Sequence, residues 1–268
     1  MLKTHHFKME ENKMIISIAN QKGGVGKTTT ALNLATALSM NNYKVLVIDF
    51  DPQGNLSKYA GYEGNDLTVS DLLFGQATGH KVNIDDCIRH SDINKIDYIP
   101  SDINLSSADL YLASALSRET MLKRLLNNDT IHYYDYVIID CNPQLGVLLM
   151  NALTTSDKVI IPVETQDFAL DGLSALDDVI SQIKAQINPS LDILGVLPTK
   201  YEEVTNASKR VLQSLKIQYG DKVFNTLIHR ATKATESVNE QKSLCLMNCR
   251  IGNEYKELAL EVIERSNT

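Results

Sequence analysis

No stretch of this 268-residue chain reaches eighteen consecutive apolar residues, so no membrane-spanning helix is expected. The opening MLKTHHFKMEENKM has no apolar core, which argues against a secretory signal and predicts a cytoplasmic protein. Only four cysteines occur (Cys87, Cys141, Cys245 and Cys249), without metal-site spacing. Cys245 and Cys249 form a lone C-x3-C with no second pair, and reduced structural thiols are expected. No Pro/Gly/Ser linker, internal repeat or low-complexity tract divides the chain. Positive charge is in deficit: a net charge of −7 speaks against nucleic acid binding over the whole surface.

The apolar share of 43% and charged share of 22% are those of a globular protein with a large core. Strand and helix patterns alternate along the whole chain, which predicts a doubly wound α/β fold with a mostly parallel sheet. Strands are expected at MIISIAN, YKVLVIDF, KIDYIPS, YDYVIID, KVIIPVE and LDILGVLPT. Helices are expected after the loop Gln21–Lys27, at TVSDLLFG, over SSADLYLASALSRETMLKRLLNN as one piece, and at LGVLLMNALTTS. Three more are expected at ALDGLSALDDVISQIKAQI, at TNASKRVLQSLKIQYG with Thr205 or Asn206 as its cap, and at EYKELALEVIERSN. The segment 51–95 is polar and turn-rich. One domain over residues 14–268, after a short extension 1–13, is the expected organisation.

Chemistry concentrates in three places. The first is a glycine-rich loop between a strand and a helix, where successive backbone N–H groups can face one concavity. Gly23, Val25, Gly24 and Gly26 form that nest. Lys27 is placed to neutralise the β- and γ-phosphates of ATP, Thr28 to ligate Mg2+, and Thr29 to reach the α-phosphate. The phosphate-loop pattern requires a glycine five residues before Gly26; Gln21 stands there instead, followed by a second lysine, Lys22. The second place is VLVIDFDPQGN, where Asp49 and Asp51 leave the carboxyl end of a buried strand, the side on which open α/β sheets bind ligands. Asp51 is the better candidate to orient the attacking water, and Asp49 to support it or the magnesium shell. The third is YVIIDCNPQLG, a strand ending in Asp140 as a Mg2+ carboxylate, followed by a 142–146 turn suited to sensing the γ-phosphate. Between Thr199 and Lys233 the chain is locally basic, seven cationic residues against three acidic ones.

KGGVGKTTT (22–30), DFDPQGN (49–55) and the strand ending at Asp140, in that order, resemble the ParA/Soj branch of the deviant Walker A ATPases. PVETQDFALDGLSAL (162–176) and LGVLPTKY (194–201) carry the likeness from Met14 to about Glu264. The resemblance implies that Lys22 reaches across a two-fold interface to the partner subunit's phosphates, so that ATP makes a homodimer and hydrolysis dissolves it. It implies plasmid or chromosome segregation: the ATP dimer binds double-stranded DNA without sequence preference, associates with the nucleoid, and is released when a centromere-bound ParB-like protein stimulates hydrolysis. The basic segment falls where relatives contact DNA, which makes Lys209, Arg210, Arg230 and Lys233 the candidates there. Three motifs depart from the family. Val204-Thr205-Asn206 lacks its arginine, 229–233 lacks a proline and an asparagine that frame adenine, and Asn142 replaces the first proline of D-x-P-P.

Rival readings are a membrane-cycling, MinD-like ATPase, an iron–sulfur reductase, and a nucleotide-switched regulatory scaffold. The first needs a basic amphipathic C-terminal helix, whereas EYKELALEVIERSNT is acidic, with an apolar face suited to core packing. The second needs two cysteines at a dimer face. An added helix-turn-helix, which would make the scaffold an operator-binding repressor, does not fit in the thirteen residues before Met14.

Overall fold

The computed structural model describes residues 13–166 and 172–267. Among these residues seven strands form one sheet: β1 Met14–Ile18, β2 Val45–Phe50, β3 Arg89–Ser91, β4 Ile96–Ile99, β5 Tyr136–Cys141, β6 Lys158–Glu164 and β7 Asp192–Thr199. Their order is β3-β4-β2-β5-β1-β6-β7, all parallel except β3, which runs antiparallel to β4 at the edge. Val, Ile and Leu dominate β2 and β5, and every residue of both strands is buried, as a sheet covered on both faces requires.

Ten α-helices are described: α1 Lys27–Met40, α2 Asn55–Ala60, α3 Val69–Thr78, α4 Ala108–Leu112, α5 Met121–Leu126, α6 Val147–Thr155, α7 Leu173–Gln186, α8 Asn206–Tyr219, α9 Lys233–Asn239 and α10 Arg250–Ser266. Two apolar cores result. One holds residues of α3 to α8 against one sheet face, through Leu46, Ile48, Val137 and Ile139. The other holds α1, α2 and α10 against the opposite face, through Val45, Val47 and Ile138. In α10 the apolar positions Ile251, Tyr255, Leu258, Ala259 and Val262 recur at helical spacing, and all are buried.

The segment 106–128 is not one helix. It breaks between α4 and α5, where Ser117 takes a left-handed φ of 52° before a 3-10 turn at Arg118–Thr120. The cause is tertiary. Buried Asn151 of α6 accepts from Leu122 N at 3.0 Å and donates to Arg118 O at 2.8 Å, so it caps α5 from outside. Leu110 and Leu116 are 79% and 87% exposed, so no continuous apolar stripe holds the segment straight. The sheet edge β3 and the short helices α2 and α9 carried no strong periodic pattern. Helix α7 is described from Leu173, and its predicted start at Ala169 lies outside the described residues.

Candidate functional site

The loop between β1 and α1 is pinned at three points. Asn20 Nδ2 donates to Pro162 O at 2.7 Å, and its Oδ1 accepts from Lys22 N at 2.9 Å. From β7, Thr199 Oγ1 donates to Val25 O at 2.8 Å. Gly24 and Gly26 hold φ of 74° and 93°, values that glycine adopts at little cost and residues with a Cβ do not. A Cβ at Gly23, Gly24 or Gly26 would meet nothing within 4 Å, so the loop borders open space. The concavity fits a phosphate chain.

The two lysines of the loop differ in surroundings. Lys27 is 7% exposed, and its Nζ donates to Lys22 O at 3.1 Å. Burial lowers its pKa, while Asp140, Cys141 and Asp51 pull it back up. The Lys22 side chain, by contrast, makes no hydrogen bond or ion pair among the described residues.

The three aspartates gather at the adjacent strand ends. Parallel pairing of β2 with β5 sets Asp49 directly beside Asp140. Asp49 is fully buried; its Oδ2 accepts from Ser57 N at 2.8 Å and Ser57 Oγ at 2.6 Å, and its Oδ1 accepts from Asp51 N at 3.2 Å. Burial outweighs these hydrogen bonds and pushes its pKa up to about 6. Asp49 thus ties α2 to β2, and the residue free to face the site is Asp51, half-buried, whose Oδ1 accepts from Gln53 N at 3.0 Å. The Asp140 pKa is likewise raised, by burial first and Asp49 second, against the opposing pull of the Thr28 hydroxyl and Lys27. Thr28 lies near enough to act on it, yet neither Asp140 oxygen has a partner in hydrogen-bond geometry.

Two buried acidic groups side by side, one with both oxygens unmet, suit a cation. Among the described residues no group of three or more His, Cys, Asp or Glu could hold a metal by itself. A magnesium ion sharing Thr28 and Asp140 with phosphate oxygens fits that donor set.

The cationic candidates for DNA do not form one free patch. Lys209 and Arg210 are exposed on α8. Arg230 is ion-paired to Glu202 at 2.5 Å and to Glu164 at 3.2 Å, and Lys200 also meets Glu164, at 3.3 Å. Lys222 pairs with Asp192 at 3.0 Å, and Lys233 pairs with Glu236. Next to them His229, Glu203, Glu254 and Arg250 form a further polar cluster at 2.6–3.0 Å. None of the acids from outside the segment was visible in its local charge. Cys87 and Cys141, the cysteines an iron–sulfur reading would use, are both buried.

Fold and loop together define a P-loop nucleotide-binding protein. The profile of the AAA domain family matches residues 13–193. The sporulation initiation inhibitor protein Soj of Bacillus subtilis is 41% identical over 252 residues, spanning 92% of this chain and 97% of that protein. The chromosome-partitioning ATPase Soj of Treponema pallidum is 38% identical over 250 residues, 92% of this chain and 95% of that one. Among solved structures, a cobyrinic acid a,c-diamide synthase from Mycobacterium smegmatis with bound ATP analogue and magnesium superposes with a TM-score of 0.83, at 30% identity over 96% of each chain. The chain belongs to the ParA/Soj-type partition ATPases.

Proposed function

We propose that this protein hydrolyses ATP to drive DNA segregation, pairing with a second copy when ATP is bound and binding DNA without sequence preference in that state. The reading is carried by the division of labour between its two loop lysines: Lys27 is turned into the site, and Lys22 has no ion-pair partner among the described residues. The nest of Gly23, Gly24, Val25 and Gly26, with Lys27, holds the phosphates, and Thr29 adds a hydrogen bond to the α-phosphate. Thr28 and Asp140 hold magnesium, which when bound neutralises charge on the phosphate oxygens. Asp51 orients the attacking water, and Asp49 fixes the strand end from which Asp51 projects. Lys22 serves the nucleotide of the partner subunit.

On this reading the protein works in the cytoplasm and associates with the nucleoid while ATP is bound. A ParB-like centromere-binding protein stimulates hydrolysis and frees it. A membrane-cycling role would need the apolar face of α10 at a lipid surface, whereas Tyr255, Leu258, Ala259 and Val262 are packed in the core. No described helix is long and apolar enough to cross a membrane.

The test is Lys22→Ala. Nucleotide binding should persist, since the nest and Lys27 are untouched, while ATP-induced dimerisation and hydrolysis are lost. Light scattering with ATP and with ADP reads the first effect, and phosphate release the second. A normal ATP dimer in this variant rejects the proposed role of Lys22.

A further inference from the structure

Lys22 is held by its backbone and not by its side chain. Its N–H donates to Asn20 Oδ1 at 2.9 Å, and its carbonyl accepts from Lys27 Nζ at 3.1 Å. The peptide groups on both sides of its Cα are therefore fixed, which sets the point from which the side chain extends. The Lys27 ammonium has three donors, so it can hold Lys22 O and still serve a phosphate.

Asn20 is 5% exposed and uses both ends of its amide. Its Nδ2 donates to Pro162 O of β6 at 2.7 Å, one residue beyond Ala19 N, which donates to Ile160 O at 3.1 Å. Its Oδ1 closes a turn onto the residue two positions on, a habit of Asn where a chain changes direction. The partners fix which way the amide lies, because Pro162 O can only accept and Lys22 N can only donate. Asp and Leu match the shape of Asn, but an ionised Asp lacks the donor and Leu lacks both groups. The far half of the loop has its own anchor: buried Thr199 of β7 donates from Oγ1 to Val25 O at 2.8 Å.

We infer that Asn20 is a positioning residue for Lys22, tying that lysine to the end of β6, while Thr199 holds the phosphate nest. The inference rests on the reading that Lys22 serves the nucleotide of the partner subunit. A lysine stem is long and flexible, so ordering it across an interface costs conformational entropy. A root fixed before the partner arrives removes part of that cost. Without the Asn20 amide the link from Lys22 to β6 is gone, whereas the nest keeps Thr199 and the start of α1. The loss should therefore fall on the dimer and spare ATP binding.

The experiment compares full-length Asn20→Ala, Asn20→Ser, Thr199→Val and Lys22→Ala with the parent protein. Asn20→Ala should weaken the ATP-induced dimer about tenfold, the effect of one buried hydrogen bond, read by light scattering over a concentration series. Its affinity for a fluorescent ATP analogue should stay unchanged. Its hydrolysis should recover by mass action as protein concentration is raised, which a merely structural defect would not do. Asn20→Ser loses the same bond to Pro162 O, yet its hydroxyl can still accept from Lys22 N, so it should restore part of the dimer. Thr199→Val should instead weaken binding of the analogue. A parent-like dimerisation curve for Asn20→Ala, or a loss of analogue affinity as large as its loss of dimer, overturns the inference. Equal dimer defects in the Ala and Ser variants overturn it too, since they put the effect at Pro162 O. Lys22→Ala separates the two levels. If it dimerises normally with ATP, the reading of Lys22 fails and this inference with it; if it stays monomeric while Asn20→Ala dimerises normally, only the inference fails.

Discussion

Lys27 and Lys22 show how surroundings, not residue type, assign work. Lys27 gives up hydration to sit among Asp140, Cys141 and Asp51, and it stays useful there because those acids offset part of the burial cost. Lys22 makes no such bargain. The aspartates divide in the same way. Asp49 has its oxygens committed to Ser57 and to Asp51 N, so it holds geometry, whereas Asp51 lies beyond the strand and lines a cavity of about 230 Å³ between the loops after β2 and β5. The expected outcome for Asp51→Ala is a fall in kcat of about 10²-fold or more, the usual size for a positioned acid–base group. Magnesium-dependent ATP binding should be kept, so the variant should accumulate as a long-lived ATP dimer. Phosphate release measured beside size-exclusion chromatography reads both effects, and turnover at the parent rate would move the role to Asp49 or to the loop after Asp140.

At the scale of elements, legibility followed how local the determining interactions are. Strands β1, β2, β5, β6 and β7 were readable because burial on both faces demands near-continuous apolar runs, and α1 was readable from the loop that opens it. The placement of Asp49 and Asp140 at neighbouring strand ends was readable for the same reason, since each closes an apolar run. The break between α4 and α5 was not readable. It depends on Asn151, a residue of α6 that satisfies the first turn of α5 across 29 positions of sequence. The counter-ions of the basic segment were hidden likewise, since Glu164 meets Arg230 across 66 positions. Asn151→Leu tests the capping argument. It leaves Leu122 N without that partner in a buried place, a loss of about 1–3 kcal/mol of stability. For a chain of this size that amounts to roughly 2–4 °C of melting temperature per kcal/mol, with little change in nucleotide affinity. An unchanged melting temperature would mean that local propensity alone sets the start of α5.

For the whole molecule, an overall charge of −7 sets the terms on which DNA can be bound. One subunit presents cations on α8 against a repulsive background, and a dimer brings two such helices into one assembly, so binding should require ATP. Arg230 and Lys200 both neutralise Glu164, whose side chain is 10% exposed, so Arg230→Ala should cost stability by leaving a nearly buried carboxylate to Lys200 alone. Lys209 and Arg210 lie on an exposed face of α8, away from the loop that holds the phosphates. Replacing both with glutamate should abolish DNA binding while sparing the ATP-driven dimer. Each phosphate neutralised contributes about −0.9 to the slope of log K against log salt on duplex DNA, so two contacts per subunit predict roughly −2 for one subunit and −4 for the dimer. Filter binding on random-sequence duplex at several salt concentrations, with ATP and with ADP, measures both the slope and its dependence on nucleotide. Equal affinity in the two nucleotide states, or an unaffected double variant, would reject α8 as the DNA surface.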